Sequence, residues 1–321
     1  MKKAVQELPG SFTISLDFEL YWGVRHVKQL SEYEENIRNV PKAIPLILDL
    51  FLKYDIKATW CIVGFLFFDN KESLLANLPN LLPSYFSKQL DPYAYIHEND
   101  LAPLYHFAPE LIRLLQGYTS QEIGTHTFSH YFCNEGGQTP EQFRADIRKA
   151  KEVLKAWKIN GRSIIFPRNQ FPPEYLAICR EEGLDFYRDS EQAWYYQQSS
   201  KYDIEKPFPR LLRLIDSYMN ISGHNTFVVD KSDPGPLNIP SSRFLRPYSP
   251  LLSYFEKLRF GRIANSMTYA AKNNMGYHIW WHPHNFGKYT EQNLNFLKMI
   301  LEHYQNLHLK YGFTNKTMCE Y

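Results

Sequence analysis

Short apolar runs of strand type alternate with segments of helical period along most of this chain, and that alternation restricts the fold more than any other feature. Strands joined through helices pair in parallel, because each crossover returns the chain to the same end of the sheet. Strand-type runs lie at Ser11–Leu16, Ile56–Val63, Gln121–Thr125, Arg162–Phe166, Leu184–Tyr187 and Gly276–Trp281, with a further strand expected at Leu211–Ile215. Helical spacing covers Asn36–Leu52, Pro109–Leu115, Pro173–Glu181, Ser253–Lys272 and Glu291–His308. Thr139-Pro140-Glu141-Gln142 opens one more helix, to about Trp157, with an N-cap threonine, a proline at the first helical position and a capping-box partner. Two aromatic, proline-punctuated stretches have no sustained period and read as insertions, at about 65–105 and 190–250, within one domain over 1–321.

Chemistry-bearing residues gather where the strands stop. Asp17 and Glu19 follow the first strand, two residues apart and so on one face. His126 and His130 follow the third, Arg168 the fourth, Arg188 and Asp189 the fifth, and His282 and His284 the last. Sites of parallel α/β sheets, open or closed, lie at the carboxyl ends of the strands, so these groups are expected to share one pocket. A helical turn after His126 would put positions i and i+4 on one face and bring both imidazoles to one point. His97 and His106 read as ordinary surface or packing residues, and His224 has no assignment.

Composition removes several function classes. With a net charge of +2 and no basic stripe, the chain carries no nucleic-acid footprint. No stretch is apolar and long enough to span a bilayer, and Gln6–Gly10 interrupts any signal-type apolar segment. Cys61, Cys133, Cys179 and Cys319 show no paired spacing. The chain therefore reads as soluble and cytoplasmic, with its oligomeric state not legible. Aromatic residues at 16% suit either a sugar-stacking cleft or an aromatic core.

Two histidines and one carboxylate make three ligands to a divalent metal and leave a position open, as in catalytic zinc sites. Cobalt, nickel, manganese and iron accept the same set. A metal there would acidify water and polarise a carbonyl. A second carboxylate is then available as base, an arginine to hold it ionised, and a distant histidine as acid.

The ordered motifs resemble those of the polysaccharide deacetylases, carbohydrate esterase family four with its nodulation-type deacetylase homology domain. Ser15-Leu16-Asp17-Phe18-Glu19 stands where that family has Thr-Phe-Asp-Asp-Gly. Ala58–Gly64 resembles its second strand, Gly124–His130 its Gly-x-His-Ser/Thr-x-x-His, Phe166-Pro167-Arg168 its Arg-x-Pro, and Trp281–His284 its closing motif. The resemblance, over roughly 11–290, implies a distorted (β/α) barrel of about seven parallel strands with insertions over the active-site face. It implies removal of N-acetyl groups from amino sugars, with His126 and His130 as metal ligands, Asp17 as base, Arg168 as its partner, and His282 or, in reserve, His284 as acid. The family's second aspartate falls at Phe18, which cannot ligate, so Glu19 is taken as third ligand; base and ligand can be exchanged. Trp22, Arg188 and Trp194 are assigned to the substrate, and Trp280 and Trp281 to either sugar site or core. A deformylase or small-amide hydrolase on the same barrel, and a glycan-binding module without turnover, are the alternatives.

Overall fold

The computed structural model describes residues 9–197, 206–232 and 235–321, and within them nine strands form one sheet. They are β1 Ser11–Phe18, β2 Thr59–Ile62, β3 Glu122–Thr125, β4 Ser163–Ile164, β5 Phe186–Tyr187, β6 Leu237–Asn238, β7 Arg243–Phe244, β8 Gly276–Trp281 and β9 Thr314–Asn315. The order is β6-β5-β4-β3-β2-β1-β8-β7, with β9 paired to the start of β1, and every pairing is parallel. Residues 239–242 alone separate β6 from β7, which stand at opposite ends of that order. Four extended residues span only about 13 Å, so the two edges adjoin and the sheet curls into a distorted barrel. Ile239 N donates to Tyr187 O at 2.8 Å and Ser242 N to His278 O at 2.8 Å, stitching this seam to both sides.

Strand period explains what faces where. On β1, Phe12, Ile14, Leu16 and Phe18 all belong to the main apolar cluster, packed with the surrounding helices. The alternate residues Ser11, Thr13, Ser15 and Asp17 are buried and polar, and Ser15 Oγ accepts from Arg188 Nη1 at 2.8 Å and lies 2.8 Å from His278 Nε2. On β1 the inward row is thus polar and the outward row apolar, with Asp17 at the carboxyl end of the inward row.

Leu211–Ile215, expected as a strand, lies in the helix Pro207–Asp216. Its apolar residues alternate with Arg210 and Arg213 at helical spacing, and Pro207 suits the first turn. Strands β6, β7 and β9 have two residues each, too short for any periodicity. The stretch at 65–105 carries short helices at Lys71–Leu75, Pro92–Glu98 and Pro103–His106. Among the described residues no helix is long and apolar enough to cross a membrane.

Candidate metal and catalytic site

Beyond β1 the backbone turns at once: Glu19 leaves the strand conformation and Leu20 is left-handed, with φ 47°. That turn buries the Glu19 carboxylate beside the loop that follows β3. Glu19 Oε2 lies 3.2 Å from His126 Nε2 and 3.1 Å from His130 Nε2. The loop is not helical, contrary to the expectation from i,i+4 spacing. Thr127 and His130 are left-handed, with φ 64° and 57°, and this sharper winding is what brings the two rings to centroids 5.1 Å apart.

Asp146, which the sequence reading passed over, holds that loop. Its buried carboxylate accepts from Phe128 N at 2.7 Å, from Ser129 N at 3.1 Å and from Ser129 Oγ. The signal was one acidic residue inside the buried stripe Phe143, Ile147, Ala150 of the helix Pro140–Ala156. Gly64 N and Phe65 N donate to Thr127 O and Phe128 O, tying the loop to the end of β2.

The donor set fits a divalent metal. Both ring nitrogens of His126 and Nδ1 of His130 are buried without a hydrogen-bond partner, a costly state unless a ligand completes them. Bonds of about 2.0–2.1 Å in tetrahedral geometry put ligand atoms roughly 3.3 Å apart, and the observed separations from Glu19 match that. Glu19 also groups with His282 and His284 on its other side.

Asp17 is gripped elsewhere than expected. Arg188 Nη1 and Nη2 donate to its two carboxylate oxygens at 2.8 and 2.7 Å, while Nη2 also donates to Asn169 Oδ1 at 2.8 Å. Arg188 is wholly buried and lies 4.1 Å over the Trp280 ring. Arg168, the expected partner, instead pairs with Glu135 at 2.5 Å and lies over Phe132. The left-handed turn at Arg168 and Asn169 sends the asparagine to Arg188 and the arginine to the cleft wall. Arg188, assigned to the substrate from sequence, is thus bound to the base candidate and lies outside the cleft lining.

His282 Nε2 stands 3.4 Å from Glu19 Oε1 and 3.9 Å from Asp17 Oδ2, and its Nδ1 lies 3.3 Å from Asn285 Oδ1. His284 stacks on it at 4.9 Å and is buried. Burial disfavours both carboxylate charges, yet Arg188, His126 and His282 hold Asp17 below its ordinary pKa. Against the same burial, His282, His126 and His130 hold Glu19 well below its own. Burial brings His130 down to about 4 despite Glu19, and His284 to about 3.

Asp17, Glu19, His130, His282 and His284 line a cleft of about 750 Å³. Trp22 does not: it is fully buried, donates from Nε1 to His106 O at 2.8 Å and packs edge-on to Phe65, so it is core. Trp194 is 60% exposed, stacked with Phe208 and outside the cleft lining. Trp281 is core, whereas Trp280 lines the cleft with an unpartnered Nε1. Two further cleft residues escaped the sequence reading: His26 and Glu191, both buried, the latter with an unpartnered Oε1.

A family model described as "Polysaccharide deacetylase" matches residues 33–187. No curated protein is significantly similar in sequence. Among solved structures, a Mycobacterium smegmatis protein assigned to the polysaccharide deacetylases superposes with a TM-score of 0.57 at 10% identity, covering 92% of this chain and 85% of that one. A Pseudomonas aeruginosa PAO1 protein with the same assignment gives 0.52 at 12% identity, with 92% and 85% covered. PuuE allantoinase gives 0.55 at 11% identity, with 94% and 86% covered. At these identities the shared property is the fold.

Proposed function

We propose, from the polysaccharide deacetylase match over residues 33–187 and the shared fold, that the chain is a metal-dependent amide hydrolase, removing an N-acyl group, foremost N-acetyl, from an amino sugar of a surface polysaccharide such as capsule or O-antigen, or of its precursor. The observation that carries this reading is the convergence of Glu19, His126 and His130 beside an aspartate held ionised by a buried arginine. Glu19 touches both histidines and Asp17 touches neither at ligand distance, which favours Glu19 as ligand and Asp17 as base.

A divalent ion held by Glu19, His126 and His130, foremost zinc, would supply Lewis acidity to the amide oxygen and to water. Asp17 takes the proton that water gives up as its oxygen bonds to the acyl carbon. Arg188 keeps that carboxylate deprotonated and fixed in orientation through two parallel contacts. His282, which is part-exposed to the cleft and borders both carboxylates, hands a proton to the nitrogen as the C–N bond breaks. Free carboxylate and free amino sugar result.

The test measures bound metal by mass spectrometry in wild type, His126→Ala and Glu19→Ala, alongside acid release from N-acylated sugars. Near-stoichiometric metal in wild type alone, with acetate released, supports the reading. Absence of metal in wild type after reconstitution refutes it. Formate in place of acetate would reassign the acyl group, and metal without any acid released would leave a glycan-binding protein.

A further inference from the structure

The cleft that holds Glu19 and His282 is also lined by Arg210, Arg213 and Arg246. Arg210 and Arg213 stand three residues apart on the helix Pro207–Asp216 and so share a face, while Arg246 lies just past β7, after Leu245. Other arginines of the barrel have acidic partners: Arg188 has Asp17, Arg168 has Glu135, Arg243 and Arg262 share Asp216, and Arg259 has Glu256. Among the described residues no carboxylate makes an ion pair with Arg210 or Arg246. Arg246 is half-buried, and its Nε is shut off from water without a hydrogen-bond partner. Arg213 lines the same cleft and donates to Tyr195 O at 2.7 Å.

Like charges gathered in a partly dehydrated wall repel one another. Burial, and then Arg210 and Arg259, act to lower the pKa of Arg246, against Tyr218 and Tyr196; Arg213 is lowered likewise by burial, Arg210 and Arg246, against Tyr196 and Glu191. Such a cluster is relieved by an oxyanion with several acceptor oxygens, and guanidinium groups match phosphate oxygens in pairs. Of the acidic groups of the cleft, Asp17 and Glu19 bind Arg188 and the histidines, while Glu191 accepts from Ser241 Oγ at 3.1 Å and acts electrostatically on Arg213 without making an ion pair with Arg210 or Arg246.

We propose that Arg210 and Arg246, with Arg213 beside them, form a phosphate subsite that holds the diphosphate of a carrier-linked amino sugar while its acyl group lies at Glu19 and His282. The inference rests on the hydrolase reading for the position of the acyl group, but the phosphate site is testable without turnover. The carrier is a nucleoside or a lipid, and the shared chemistry is the diphosphate.

Binding of inorganic pyrophosphate to the full chain is measured by titration calorimetry in the presence of a chelator, so that metal does not contribute. Wild type and His126→Ala should bind alike. Arg246→Met and Arg210→Met should each weaken binding at least tenfold, Arg246→Lys less, and the exposed control Arg38→Met not at all, with thermal melts confirming folded protein. Glucuronate should bind at least tenfold more weakly than pyrophosphate. Tighter binding of uridine diphosphate over uridine marks a nucleotide carrier, and of farnesyl diphosphate over farnesol a lipid carrier; either supports the site. No pyrophosphate binding, equal binding in Arg210→Met and Arg246→Met, or equal binding of glucuronate overturns it. Because no arm reads hydrolysis, loss of the metal reading leaves this result standing, and the reverse.

Discussion

Arg188 reaches Asp17 from the opposite side of the barrel, 171 residues away, and grips both carboxylate oxygens at 2.8 and 2.7 Å with neither group exposed. A lysine keeps the charge but loses the fork that fixes the carboxylate plane. Arg188→Lys is expected to fold, retain metal and lower kcat by roughly 10- to 100-fold. Arg168→Met, which alters the cleft wall, is expected to act chiefly on KM. Steady-state kinetics with metal analysis on both variants checks the assignment; equal kcat losses would return Arg168 to the role the motif suggested.

Gly23 makes room for the Glu19 carboxylate, because a Cβ there would overlap it. Gly23→Ala is therefore expected to displace Glu19 and weaken metal binding by about 10- to 100-fold, as loss of a ligand's support does, without changing any ligand. Chelator competition measures this; unchanged affinity would show that Glu19 is not the third ligand.

The legible part of this protein was the part written in long periods and in side-chain type. Strands β1, β2, β3 and β8, and the chemistry at their ends, were readable because apolar runs stop abruptly at Asp17, His126 and His282. What sequence could not assign was which distant group meets which. Arg168 and Arg188 both end strands, and only the left-handed turn at Arg168 and Asn169 decides that the second reaches Asp17. Trp22 looked like a cleft residue for its place after Asp17 and Glu19, but the helix Pro103–His106 covers it through His106. The helical spacing of His126 and His130 gave the right neighbours for the wrong reason, since a wound loop with two left-handed residues does the same work. Of the two-residue strands, β4 and β5 were legible within longer apolar runs, whereas β6, β7 and β9 left no pattern.

Asp146 is predicted to act on the metal through the histidine loop. Removing it leaves Phe128 N, Ser129 N and Ser129 Oγ without their acceptor, at about 1–3 kcal/mol for each group left buried. Asp146→Ala should lower metal affinity by roughly 10- to 100-fold and the melting temperature with it, while Asp146→Asn, which keeps one acceptor oxygen, should recover part of both. A fall in stability alone, with metal affinity unchanged, would limit Asp146 to packing.

Acid should unfold the metal-free protein through its histidines before its carboxylates. Burial drives His26 down to about 2, His278 and His284 to about 3, and His106 and His130 to about 4. Each stays neutral in the fold while its unfolded counterpart takes a proton near pH 6.5. The unfolded state then binds more protons, so stability is present above pH 6.5 and is lost as pH falls toward each folded value. Asp146, raised by burial to about 7, works in the opposite sense, gaining as pH falls through that value. His106 isolates the effect, because it ends the helix Pro103–His106, bonded to Ala102 O and the Tyr95 hydroxyl and away from the metal ligands. Its share of the slope is up to about 1.4 kcal/mol per pH unit between 6.5 and 4. Urea unfolding of the chelated protein at pH 7, 6, 5 and 4.5 should show stability dropping in wild type and dropping less steeply in His106→Gln. Identical slopes would mean that His106 is protonated in the fold, against its buried packing on Trp22.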